Sequence, residues 1–137
     1  MLYVKEYIFR GRRRARGKER RITLLVTLCA AVILLVAADL ISKAAAVSVL
    51  SQTGGALEFI PGLIRFEYHK NTGMAWGLFS NATWVFVVIT IVTGGLIVFI
   101  LLKTLKTMPR NLQLGLALVL SGAIGNLIDR VALGYVR

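Results

Sequence analysis

The run Gly122-Ala123-Ile124-Gly125-Asn126-Leu127-Ile128-Asp129-Arg130 puts an amide, a carboxylate and a guanidinium within five residues at the end of an apolar stretch. Such groups are costly at the mouth of a membrane helix, so their presence argues for a site and not for packing alone. Asp39 with Lys43, and Asn71, add two more polar groups elsewhere in the chain. Two carboxylates brought to one place can share a proton, one acid staying neutral while the other activates water. The residues alone offer Asp39 and Asp129 for such a dyad, although spacing does not fix whether the two meet. Asp39 and Lys43, at i,i+4, also read as a simple local ion pair.

The elements that must position these groups are membrane helices. Hydrophobic residues make up 57% of the 137, charged residues 17%, and the mean hydropathy is +0.75, which excludes an ordinary soluble domain. Apolar runs at 22–38, 84–102 and 112–128 predict three spanning helices over 22–50, 83–102 and 112–130. Asp39 and Asp129 are then expected in the outermost turn of their helices. A formal charge of +11 would point to nucleic acid if it were spread over a surface, but nine of the seventeen basic residues fall in 5–21, directly before the first span. That is a positive-inside signal. Lys103, Lys106 and Arg110 follow the second span, whereas 51–82 balances Arg65 and Lys70 against Glu58 and Glu67. The chain is therefore expected to have a basic cytoplasmic arm (1–21), a cytoplasmic loop (103–111), an outer segment (51–82) and an outer end (131–137). Membrane lipids are the expected surroundings, and the arm reads as a topology determinant with no nucleic-acid partner.

A cleaved leader does not fit, because the first apolar run is long and ends in Asp-Leu-Ile-Ser-Lys instead of a small-residue cleavage site. Cys29, the only cysteine, reads as a small buried apolar residue, and His69 as a loop residue; no set of ligands at metal spacing occurs, so no metal or cofactor is expected.

Within the outer segment, Leu57-Glu58-Phe59-Ile60, a Pro61-Gly62 turn and Leu63-Ile64-Arg65-Phe66-Glu67-Tyr68 predict a short sheet. Asn71-Thr72-Gly73-Met74-Ala75-Trp76-Gly77-Leu78-Phe79 predicts a loop and a short interfacial helix. The groups around Asp39 and Lys43, around Asn71, and around Asn126, Asp129 and Arg130 all belong to one membrane depth, which makes a shared polar pocket the expected arrangement.

Three stretches also carry a resemblance. Asp39-Leu40-Ile41-Ser42-Lys43, Asn71-Thr72-Gly73-Met74-Ala75-Trp76, and residues 122–130 with Gly134-Tyr135-Val136 resemble, in order and spacing, successive motifs of lipoprotein signal peptidases (signal peptidase II). The third is the most specific. The first has Leu40 where the family often has Gln, and the second has Trp76 where Phe is usual. The resemblance implies an all-α polytopic protein of the bacterial inner membrane, with four spans in the family, a small extracytoplasmic sheet and an interfacial helix. It implies an aspartic endopeptidase that removes signal peptides from diacylglyceryl-modified prolipoproteins without metal or cofactor.

In that pattern Gly-x-Val is followed by one residue and then by the first catalytic aspartate, and the second lies in a later motif. The sequence stops at Arg137, ahead of both. Asp39 and Asp129 are thus not the family dyad, and no catalytic residue is assigned. Asp39, Lys43, Asn71, Gly73, Asn126, Asp129 and Arg130 match positions that line or brace the substrate site. The expectation is a chain cut short of its catalytic residues, with the N-terminus cytoplasmic and the C-terminal end outside. The alternative is a noncatalytic three-span protein that binds lipidated peptide or a structural partner; a small transporter subunit is disfavoured, because no ionisable residue sits mid-span.

Overall fold

A computed structural model describes residues 2–72 and 83–137, with the backbone alone over 2–16. The elements are α1 (Leu2–Gln52), β1 (Ala56–Ile60), β2 (Ile64–Glu67), α2 (Thr83–Thr104) and α3 (Arg110–Leu133). Among the described residues three helices are long and apolar enough to cross a membrane. The expected interfacial helix, and Gly73 with it, lie outside the described residues.

Helix α1 departs from the expected span of 22–50 at its start. The basic arm is not a separate segment: its Arg, Lys, Ala and Glu residues are good helix formers, no proline intervenes, and the helix runs unbroken for 51 residues. At 1.5 Å per residue that is roughly 76 Å, against a hydrocarbon core of about 30 Å. At the other end, Ala44-Ala45-Ala46-Val47 continues the helix past Lys43 until the Gly54-Gly55 pair. Asp39 therefore lies more than three turns from the end of α1, and not in its outermost turn. Asp129, four residues before Leu133, does lie in the last turns of α3.

Helix α3 is the element on which the other two pack. Its buried residues Gln113, Ala117, Leu120, Ser121, Gly125 and Asp129 recur every three or four positions and so make one stripe. Within it Ala117, Ser121 and Gly125 repeat a small residue every fourth position, which lets a neighbouring helix approach closely. Helix α1 runs parallel to α3, with Asp39 beside Gly125 and Lys43 beside Asn126. Helix α2 runs antiparallel to it: Phe86 faces Arg130, Gly94 packs on Leu120 and Leu105 meets Gln113. The Gln113 amide donates to the carbonyls of Leu105 and Met108, both at 2.9 Å, and so ties down the α2–α3 connection. A methyl added at Gly94 would touch Leu120, whereas one at Gly95 would meet nothing among the described residues, so of the glycine pair in α2 it is Gly94 that faces α3. Large apolar residues such as Val26, Ile33, Leu34, Ile41 and Val131 stay exposed, as suits a protein whose solvent is lipid.

Cys29 is exposed and not buried as expected; it borders an apolar cavity of about 250 Å³ between α1 and α2, with Leu25, Val32, Leu101 and Leu105. Strands β1 and β2 form the expected hairpin, antiparallel with Leu57 opposite Phe66 and Glu58 opposite Arg65, and a bulge between Glu58 and Ile60. Phe59 meets Phe66 edge to face at 5.7 Å. Leu57 and Phe66 border a second cavity with Ala45, Val49 and Leu50, so the hairpin's apolar face turns toward the end of α1. His69 is exposed beside Glu67.

Candidate functional site

The site is built on the parallel pair α1 and α3. An alanine methyl at Gly125 would run into Asp39 Oδ2, so only glycine lets the carboxylate lie against the α3 backbone. That approach delivers Lys43, one turn further along α1, to the same face of α3. Lys43 Nζ lies 2.7 Å from Asp39 Oδ2, donates to Asn126 Oδ1 at 2.8 Å and sits 3.7 Å from Asp129 Oδ2. The Asp39 contact is an ion pair by distance without the alignment of a hydrogen bond. One ammonium thus joins both acids and the amide that sequence analysis singled out.

Asp129 is 1% exposed and is the most fully buried large side chain. A carboxylate so placed must be neutralised, and the second cation comes from Arg137. Arg137 Nε and Nη2 donate to Asp129 Oδ1 at 3.0 and 2.7 Å, and the Arg137 backbone N–H donates to Oδ2 at 3.1 Å. The two acids and two bases of this cluster balance in charge. In turn Asp129 holds the Arg137 guanidinium proton more tightly than usual.

The segment after α3 is fixed from several sides at once. Gly134 takes a left-handed conformation (φ 82°) and its N–H caps the helix on the Arg130 carbonyl. Asn71 and Val136 exchange two backbone hydrogen bonds, at 3.0 and 2.9 Å. Thr83 Oγ1 lies 3.1 Å from the Gly134 carbonyl and 3.3 Å from that of Thr72, joining the start of α2 to both strands of that bridge. The Tyr68 hydroxyl donates to that of Tyr135 at 3.3 Å, a bond that, with some burial, raises the Tyr68 pKa above its ordinary value. Lys70 Nζ sits 5.1 Å from the Tyr135 ring centre.

Of the sequence candidates, Asp39, Lys43, Asn126 and Asp129 come together. Asn71 joins through its backbone, at the residue next to Arg137. Arg130 does not join them. Its guanidinium carbon lies 5.2 Å from the centre of the Phe86 ring, on the α2 side, and its Nε is buried without a hydrogen-bond partner among the described residues. Arg137, Thr83 and Tyr68 are not among the sequence candidates, and Tyr135 stands there only as part of the Gly134-Tyr135-Val136 motif. For Arg137 a signal existed, because a carboxylate buried beside a single shared lysine requires another cation; for Thr83 and Tyr68 there was none.

Comparison with known proteins gives one consistent result. The family model described as signal peptidase (SPase) II matches residues 31–137. A lipoprotein signal peptidase of Enterococcus faecalis is 44% identical over 103 residues, covering 75% of this chain and 63% of that protein. One from Streptococcus pyogenes serotype M5 is 42% identical over 107 residues, covering 76% of this chain and 67% of that protein. A solved structure, described as that of a bacterial membrane enzyme determined by the in meso method at 2.3 Å resolution, superposes with a TM-score of 0.63 at 30% identity, covering 77% of this chain and 65% of that one. The chain spans about two thirds of the length of these relatives.

Proposed function

The chain belongs to the signal peptidase II family, and from that premise we propose that its residues build the bracing half of a membrane endopeptidase site that cuts signal peptides from lipid-modified prolipoproteins. The observation that carries this is the fixation of residues 134–137. In the family pattern the first catalytic aspartate follows directly, and here the residue before it is bound through main chain and side chain by Asp129, while its neighbour Val136 is bridged to Asn71. A dyad works only if its carboxylates are held within hydrogen-bond reach of one water, so the segment that carries one of them must not move. Asp129 and Lys43 are positioning residues in this reading, and Asp39 serves by holding Lys43.

Arg130 has a different part. Its Nε, buried over the Phe86 ring with no partner among the described residues, is a donor for a carbonyl of the peptide to be cut. The amide of Asn126 is already engaged by Lys43 through its oxygen, which leaves its NH2 as a further donor. Neither metal nor cofactor has a role in this scheme. The membrane is the bacterial inner membrane, with the N-terminus in the cytoplasm and residues 51–72 and 134–137 on the opposite side.

These 137 residues contain no acid besides Asp39 and Asp129 near the site, and both are held by cations. A polypeptide of these residues alone is therefore expected to bind a lipid-modified prolipoprotein without cutting it. The same residues continued through a family-like, aspartate-bearing segment are expected to cut it, and Asp129→Asn in that longer chain to slow cleavage at least tenfold. Gel analysis of the substrate in detergent micelles distinguishes these outcomes. Cleavage by the 137 residues alone that vanishes in Asp39→Asn and in Asp129→Asn would restore those two acids as a dyad; a longer chain that binds and never cuts would leave the noncatalytic reading.

A further inference from the structure

We propose that the groove between α1 and α2 binds one anionic phospholipid of the leaflet at the α2–α3 connection, with an acyl chain in the apolar cavity and the phosphate on Arg21 and Lys106. The cavity, of about 250 Å³, is walled by Leu25, Leu28 and Val32 of α1 and by Leu101 and Leu105 of α2, together with Leu120 of α3. No lining side chain carries a charge, an oxygen or a nitrogen, so water finds no partner there and the space suits hydrocarbon. Ile33 and Leu102, which also border it, are 67% and 44% exposed, so its flank opens to the bilayer.

Length selects a lipid tail. From Leu25 to Ile33 the wall extends eight residues along α1, roughly 12 Å at 1.5 Å per residue, which is close to one leaflet of a core about 30 Å thick. A further spanning helix would need a face about twice as long. Charge selects the headgroup. Arg21 precedes Leu25 by four positions and Leu28 by seven, so it continues the stripe that walls the cavity, one turn nearer the helix start. Gly17 precedes Arg21 by four on the same stripe, and a Cβ there would lie 3.8 Å from Lys106 Nζ. The ammonium from the α2–α3 connection therefore reaches across to α1 at the mouth of the groove, within a turn of Arg21.

Among the described residues, neither Arg21 nor Lys106 is within ion-pair distance of a carboxylate, whereas Lys103 is drawn aside over the Phe99 ring, 5.2 Å from its centre. Orientation in the membrane asks only that such charges lie on one side of it, not that they meet. Two cations gathered at one point repel each other. A phosphate placed between them removes that repulsion and gains a charge-assisted, two-point pair with the Arg21 guanidinium. A phosphate at the level of Arg21 starts its acyl chains near Leu25, where the cavity begins, and a basic pocket between spanning helices is a recurrent seat for anionic headgroups.

The test uses the chain purified in detergent micelles, with its lone thiol as reporter, since Cys29 is exposed and borders the cavity. Phosphatidylglycerol added to the micelles is expected to slow alkylation of Cys29 by N-ethylmaleimide. Phosphatidylcholine with the same chains is expected to need a much higher mole fraction, and glycerol phosphate, which has no chains, to give no protection. Arg21→Gln with Lys106→Gln is expected to raise the phosphatidylglycerol needed for half protection by roughly 25-fold, each cation near an anionic lipid counting for about a factor of five. Equal protection by the two lipids, or protection unchanged in the double variant, would overturn the proposal. So would phosphatidylglycerol retained in native mass spectrometry while Cys29 stays reactive, which would leave a headgroup on the surface with no chain in the cavity. Protection that follows protein concentration instead of lipid would overturn it in favour of a second copy of the chain as occupant.

Discussion

Lys43 is the residue on which the polar cluster turns, since a single ammonium contacts Asp39, Asn126 and Asp129. Removing one partner from a buried charge cluster leaves the others uncompensated, at a cost of about 3–5 kcal/mol. Lys43→Met is expected to lower the unfolding midpoint in detergent by more than Asp39→Ala does, because Lys43 serves two acids and Asp39 one cation; equal effects would show that the lysine's contact with Asp129 contributes nothing. Gly125 tests the steric side of the same cluster. Gly125→Ala is expected to destabilise, by forcing α1 off α3 at Asp39, whereas Gly125→Ala combined with Asp39→Ala should be little worse than Asp39→Ala alone. Thermal unfolding of the four proteins reads this, and additive losses would mean that the methyl clashes with something other than the carboxylate.

Between elements, the informative contact is the short bridge that joins the loop at Asn71 to the segment beyond α3. Residues that exchange both backbone hydrogen bonds sit about 5.5 Å apart at Cα, which is within disulfide range. Asn71→Cys with Val136→Cys, in a Cys29→Ala background, is therefore expected to crosslink readily under mild oxidation, seen as a mobility shift reversed by reductant. Asn71→Cys paired with Phe99→Cys, on the opposite part of α2, is expected not to. A bridge pair that stays reduced while helix-packing controls oxidise would remove the frame on which residues 134–137 are argued to be held. The same bridge explains why α3 needs its left-handed cap: Gly134 turns the chain back so that Val136 reaches Asn71 and Arg137 reaches Asp129.

For the whole molecule, three helices long and apolar enough to cross a bilayer carry the proposal that Leu2 and Arg137 lie on opposite sides, with the basic residues of α1 on the cytoplasmic one. An alkaline phosphatase fused after Arg137 is expected to be active, and a fluorescent protein at the same point dark; the reverse pattern would invert the proposed orientation and put the site on the cytoplasmic face. Packing at this scale is lopsided among the described residues, because α1 and α2 both lean on α3, while an apolar cavity beside Cys29 separates them. In lipid the exposed flanks of α1 and α2 incur no hydrophobic penalty, so contact with the small-residue stripe of α3 is what orders them.

Hydropathy and local turn chemistry were legible from the residues alone, because each depends on near neighbours: the three apolar runs became three helices, and Pro61-Gly62 became the turn of a hairpin. Asp39 and Lys43 paired as their spacing allows. Only the packed structure decided who meets whom. Asp129 and Arg130 are adjacent in sequence, yet successive helix positions point about 100° apart, so one faces α1 and Arg137 while the other faces Phe86 on α2. Lys43 became a hub through the register between α1 and α3, which a glycine eighty-two residues away permits by carrying no side chain. Periodicity within a helix is written in its own residues; the register between helices is set by how their surfaces fit, and no single stretch of the chain contains it.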